Sequence, residues 1–155
     1  MSTPAPSSER EIVNSRFIPA SPELIFQALR DPACLARWWG PKGFRNTFHE
    51  FDFKAGGVWR YEMHGPDGAD YSNRSVFEEV SPQRVVIRHL EPVHEFVLTI
   101  TLIPEDGGTR MTWSMVFESA AKCDRVPPYV PRCNEENLDR LESELGRLAS
   151  LAAGL

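Results

Sequence analysis

Between residues 44 and 118 the chain is cut by turn signals at near-regular intervals, and that spacing limits what it can fold into more than any other feature. Ala55-Gly56-Gly57, Gly65-Pro66-Asp67-Gly68, Ser81-Pro82 and Glu105-Asp106-Gly107-Gly108 each combine residues that impose or tolerate tight reversals. Between them lie segments at 44–53, 58–64, 70–80, 84–91, 94–103 and 109–118. Short runs rich in β-branched and aromatic residues, separated by such turns, predict an antiparallel meander of strands. A further strand is predicted from Arg10 to Ile18, where Val13 and Phe17 have strand-compatible spacing.

Alternation gives these strands a face. Trp59, Tyr61 and Met63 share parity against Arg60, Glu62 and His64. Phe96, Leu98, Ile100 and Leu102 form a second apolar row, and Met111, Trp113, Met115 and Phe117 a third. Phe48 has the opposite parity to Phe51 and Phe53, which predicts a bulge near His49 or Glu50. The 84–91 segment is less regular, with Val85 and Ile87 opposed by Val86 and Leu90.

A sheet apolar on one face needs a cover. From Asn134 to Ala152, Leu138, Leu141, Leu145, Leu148 and Ala152 recur at helical spacing, with Asp139, Arg140, Ser143, Glu144 and Arg147 on the other side. Asn134 is the expected N-cap, Glu135 and Glu136 suit the positive end of the helix dipole, and Gly154 suits its end. Gly146 costs about 1 kcal/mol relative to alanine and is expected to permit a close approach. Two short helices are predicted earlier, starting at Ser21-Pro22-Glu23 and at Asp31-Pro32, the second carrying Leu35, Trp38 and Trp39 before Gly40-Pro41. Trp38 and Trp39 cannot both face one way. One is expected to plug the core, the other to line an opening or pack under the following loop. Residues 120–133, with Pro127, Pro128 and Pro131, are expected to form an irregular connection, a candidate lid or contact with a second copy in a homodimer.

Composition narrows the function classes. The 155 residues, 41% hydrophobic, suit one domain over 9–155, with 1–8 a flexible Pro- and Ser-rich tail. The net charge of −5 and the scattered basic residues give no nucleic-acid or anionic-membrane footprint. With no apolar run of membrane-spanning length, and an opening MSTPAPSS unlike a signal peptide, the expectation is a cytoplasmic protein without membrane insertion. Cys34, Cys123 and Cys133 are then expected to be free thiols.

No motif names a reaction. No histidine pair has helical ligand spacing and no Cys/His cluster exists, so no metal is expected; nor is a cofactor. There is no GxSxG elbow, and no catalytic residue stands out. His64 shares the wet parity of Glu62, whereas His89 shares the parity of Val85 and Ile87 and is expected to point inward. The inward set of Trp59, Tyr61, Met63, Phe77, Phe96, Met111, Trp113 and Met115 reads either as ordinary core or as the lining of a ligand pocket.

Taken together, the N-terminal strand, Ser21-Pro22-Glu23-Leu24-Ile25-Phe26, Asp31-Pro32, Leu35-Ala36-Arg37-Trp38-Trp39-Gly40-Pro41, Glu50-Phe51-Asp52-Phe53, Gly56-Gly57-Val58-Trp59 and Gly65-Pro66-Asp67-Gly68 resemble the SRPBCC superfamily. Within it the chain is most similar to homologues of the heat-shock-protein-90 ATPase activator. The resemblance implies an α+β helix-grip fold: a seven-stranded antiparallel sheet around a long C-terminal helix, with two short helices between strands 1 and 2 and a cavity between sheet and helix. It makes binding of a hydrophobic or amphipathic small molecule or lipid the leading expectation. The expected lining is Trp39, Trp59, Tyr61, Met63, Phe77, His89, Phe96, Met111 and Trp113, roofed by Leu138, Leu141 and Leu145. A cyclase- or hydratase-like enzyme using His89 or Tyr61 in the same cavity is the second reading. Co-chaperone-like ATPase activation is the third, because the co-chaperone carries a further domain.

Overall fold

In the computed structural model, which describes residues 9–92 and 94–154, seven strands form one antiparallel sheet. The expected tail lies outside the described residues. β1 (Glu11–Ile18) leads into α1 (Pro22–Arg30) and α2 (Pro32–Trp38). Then follow β2 (Arg45–Phe51), β3 (Val58–His64), β4 (Asp70–Ser81), β5 (Arg84–Glu91), β6 (Phe96–Glu105), β7 (Gly108–Phe117), α3 (Ala120–Asp124) and α4 (Val130–Ala152). The spatial order β1-β7-β6-β5-β4-β3-β2 makes β2 to β7 a continuous meander. β1 closes against β7, with Ile18 opposite Thr109.

The bulge demanded by the phenylalanine parities is present: the β2–β3 register shifts between Phe48 and Glu50. It turns Phe48 and Phe51 to the same side, each with its ring within 6 Å of Trp59 (centroids at 5.4 and 5.8 Å). Local chemistry starts the first two helices as expected. Ser21 Oγ accepts from the Leu24 amide and Asp31 Oδ1 from the Ala33 amide, each with proline at the next position.

Three expectations about the last forty residues change. α4 starts at Val130, four residues before the expected cap, because Pro131 falls in its first turn, where a missing N–H costs nothing. Asn134 is therefore inside the helix. Residues 120–124 form α3, capped by Ser119, rather than irregular chain. At Gly146 an added Cβ would meet nothing within 4 Å, so the glycine serves no close approach.

The core joins inward strand positions to α1, α2 and the leucine stripe of α4, with Trp38, Trp59, Ile100, Met111, Leu138 and Leu141 fully buried. Glu144, expected on the wet side of α4, is also buried, at 4% exposure. Arg37 of α2 and Arg147 one turn on both donate to its carboxylate, at 2.9 to 3.0 Å and 2.8 to 2.9 Å. Arg16 of β1 ties the opposite side of α4 through Glu135, Asp139 and Glu142 at 2.7, 2.8 and 2.8 Å. The long helix is thus held by charge on two flanks and by leucine beneath.

Candidate functional site

α4 does not lie flush along its whole length. Between its first turns, the end of α2 and the inner faces of β3 to β7 there is a pocket of about 150 Å³. Its apolar walls are Trp39, Met63, Ile87, Phe96, Leu98, Trp113 and Met115. Its polar groups come from Tyr61, Asn73, Ser75, His89, Asn134 and Asn137, and Gly40, Pro41 and Cys133 complete the lining.

Trp39 is the wall contributed by α2. Of the adjacent tryptophans, Trp38 is the core plug, its Nε1 donating to the Ala28 carbonyl at 3.0 Å. Trp39 packs on Trp113 and Trp59, with centroids 5.4 and 4.9 Å away, and its Nε1 donates to the Tyr61 hydroxyl at 3.1 Å. The turn after it is held from α4. Asn137 Oδ1 accepts from the Gly40 amide at 2.8 Å. The Arg140 guanidinium donates to the carbonyls of Arg37, Trp39, Gly40, Pro41 and Phe44 at 2.8 to 3.0 Å. These include carbonyls at the C-terminal end of α2, where a helix leaves acceptors unpaired and a cation is favoured. Gly40 itself has φ +94°, and an added Cβ would come 2.6 Å from Met63 Cε. The backbone therefore calls for glycine there, and a side chain would also displace the flexible end of Met63.

The polar groups gather on β3, β4 and β5. His89 stacks on Phe96 with centroids 4.6 Å apart. Its Nδ1 lies 2.9 Å from the His94 carbonyl and its Nε2 2.9 Å from Asn73 Oδ1. Asn73 Nδ2 donates to the Tyr71 carbonyl at 3.0 Å, which fixes the amide. Burial lowers the His89 pKa, opposed by the bond to the His94 carbonyl, and as a neutral ring it can donate to only one of the two oxygens that its nitrogens face. Burial raises the Tyr61 pKa, opposed by the bond from Trp39 Nε1 and by the nearby Ser75 hydroxyl, so the phenol keeps its proton. Ser75, 1% exposed, lies close to that phenol, yet its Oγ makes no hydrogen bond of good geometry. At the α4 end, Asn134 Nδ2 donates to Asn14 Oδ1 at 3.0 Å and lies 3.4 Å from Met115 Sδ.

Of the residues expected from sequence, Trp39, Tyr61, Met63, His89, Phe96 and Trp113 line this pocket. Trp59, Phe77, Met111, Leu138, Leu141 and Leu145 lie outside its lining and pack in the core. The roof is instead built by Cys133, Asn134 and Asn137, which precede the leucines in α4. Asn73 and Ser75 share the parity of Phe77, but hydrophobic alternation does not single out polar residues. On the outer face, Glu62, His64 and Asp70 bring one donor atom each within 4.8 Å of the others. Both His64 ring nitrogens are engaged there, by Asp70 and by Thr47, each at 2.7 Å.

The sequence matches the family described as Activator of Hsp90 ATPase homolog 1-like protein over residues 19–146. The chain belongs to that family. The family is part of the SRPBCC superfamily, and the architecture above is its helix-grip fold. Solved structures agree in shape. A protein from Arthrobacter aurescens, solved by NMR, superposes with a TM-score of 0.85 at 24% identity, covering 94% of this chain and 91% of that one. A crystal structure of a protein from Rhodobacter sphaeroides gives 0.83 at 26% identity, covering 93% and 97%. An AHSA1-like protein from Aeromonas hydrophila gives 0.74 at 21% identity, covering 90% and 94%. Similarity at this level establishes the fold and not the ligand. No curated protein matches the sequence. Among the described residues, no helix is long and apolar enough to cross a membrane.

Proposed function

We propose that this family member binds a small, largely apolar molecule in the pocket between α4, α2 and the sheet. The observation that carries the reading is the pocket's make-up. Aromatic rings and two methionines surround about 150 Å³, with neutral polar groups gathered on β3 to β5. Adaptable apolar walls with a few orienting polar groups are the pattern of small-molecule sites. A volume of this size accepts a guest of roughly one aromatic ring, so a long lipid chain would need the pocket to widen.

Binding is favoured over turnover by the same residues. An acid–base pair needs groups that exchange protons near neutral pH. Burial drives the Tyr61 pKa upward and the His89 pKa downward, away from that range on both sides. The co-chaperone reading draws on the family description alone, and no surface feature described above adds to it.

Ligand-observed NMR against a library of one-ring aromatic and short branched compounds tests the proposal. Tryptophan emission gives a second readout, because Trp39 and Trp113 line the pocket. Uptake with quenching that Trp39→Phe reduces is expected. Absence of uptake across the library would end the proposal.

A further inference from the structure

The hydrogen-bond inventory of the pocket narrows the chemistry of its ligand. The Tyr61 oxygen already accepts from Trp39 Nε1 at 3.1 Å, so its own proton must find an acceptor elsewhere. Burial keeps that proton in place. Ser75 Oγ is buried and unpartnered by the ordinary geometric criteria. A contact between the two hydroxyls would use one proton and leave the other. By contrast, the Asn73 amide and His89 ring are engaged with each other and with the Tyr71 and His94 carbonyls. Asn137 is spent on the Gly40 amide and the Trp38 carbonyl, and Asn134 donates to Asn14. What this end of the pocket lacks is an acceptor for a hydroxyl proton, and a buried donor without one is costly.

Charge is the second constraint. No lysine or arginine lines the pocket. Arg140, which holds the Gly40 and Pro41 part of the lining, gives its protons to five backbone carbonyls. Both His89 ring nitrogens already face oxygens, of His94 and Asn73, so neither is free for a guest. An ionised carboxylate would therefore enter without a countercharge, and burying one that way is unfavourable.

We infer that the ligand is an uncharged carbonyl compound, a ketone, aldehyde, ester or amide, whose oxygen accepts from the Tyr61 and Ser75 hydroxyls while a body of about one ring lies among Trp39, Trp113, Phe96 and Leu98. This rests on the pocket reading above and adds the chemistry of the group that orients the guest.

A matched set of probes separates the two statements. Acetophenone, ethylbenzene and benzoate have similar bodies and differ in the acceptor and its charge. Calorimetric titration of the full chain is expected to give acetophenone about tenfold tighter binding than ethylbenzene, the worth of one buried hydrogen bond. Benzoate is expected to bind more weakly than acetophenone. In the Ser75→Ala/Tyr61→Phe double variant the gap between ketone and hydrocarbon closes, because acetophenone loses more affinity than ethylbenzene does. The single variant Ser75→Ala, a small change at a buried site, narrows the gap and serves if the double variant does not fold. Equal binding of ketone and hydrocarbon by the wild-type chain, or a gap that survives both substitutions, overturns the inference and leaves the pocket reading standing. Benzoate binding more tightly than acetophenone overturns its uncharged part. Failure of both ketone and hydrocarbon to bind overturns the pocket reading itself.

Discussion

At Glu144 a carboxylate is taken out of water and surrounded with donors. Burial alone would raise its pKa, but hydrogen bonds from Arg147, Arg37 and Cys34 outweigh it and hold the group at about 2. A carboxyl with a depressed folded-state pKa contributes stability above its unfolded value of 4.5, and that contribution disappears as pH falls from there toward 2. Because both arginines are partly exposed, solvent screening limits the contribution to about 2 kcal/mol. Glu144→Gln should lower stability by about that amount at pH 7 and much less at pH 2.5, as read by urea unfolding at the two pH values. Equal losses at both would show that packing, not charge, is what Glu144 supplies. At Gly40 the limit is the backbone. Gly40→Ala meets the positive φ and displaces the flexible end of Met63, and should cost about 1 to 3 kcal/mol. Chemical-shift changes at Met63 should accompany the loss in methyl NMR spectra.

Between elements, the joint of α2 with α4 forms one side of the pocket, and Arg140 is its pin. Five carbonyls accept from one guanidinium, so Arg140→Met leaves several partly buried acceptors unpaired. It should cost about 2 to 4 kcal/mol in equilibrium unfolding. Arg140→Lys should recover only part, because an ammonium cannot reproduce the planar fork. Gly146→Ala should act in the opposite direction. Its Cβ enters open space on an exposed face of α4, so the helix gains about 0.5 to 1 kcal/mol, visible as a higher urea midpoint. Elements of this kind were largely legible in the sequence. Parity located the bulge at Phe48/Glu50, because a one-residue slip would have driven aromatic side chains into solvent. The start of α4 was not legible, since proline reads equally as a loop residue and as a first-turn residue. Nor was the burial of Glu144 legible, because its partner Arg37 lies 107 residues away. For the pocket, hydrophobic parity found the walls at Tyr61, Met63, Phe96 and Trp113 but gave no reason to place Asn73 and Ser75 beside them.

For the molecule as a whole, the pocket is a weakness in the core that a filled site would remove. A space of about 150 Å³ forfeits the contacts that side chains would otherwise make there. Water at its polar end reduces that loss. Two changes should recover part of it by different routes. A ligand at about a hundred times its Kd adds about 2.7 kcal/mol, which for a chain of 155 residues raises Tm by about 5 to 10 °C. Leu98→Phe, on β6 between β7 and β5 and lining the pocket, fills the space with protein instead. The variant should melt at or above the wild-type temperature without ligand and show no further rise with acetophenone. A variant that melts lower would mean that the added ring is overpacked against Trp113 and Ile87. One that still responds to the ketone would place binding somewhere other than this pocket. Thermal unfolding of wild type and Leu98→Phe, each with and without acetophenone, therefore asks of the entire fold whether its interior space is kept for a guest.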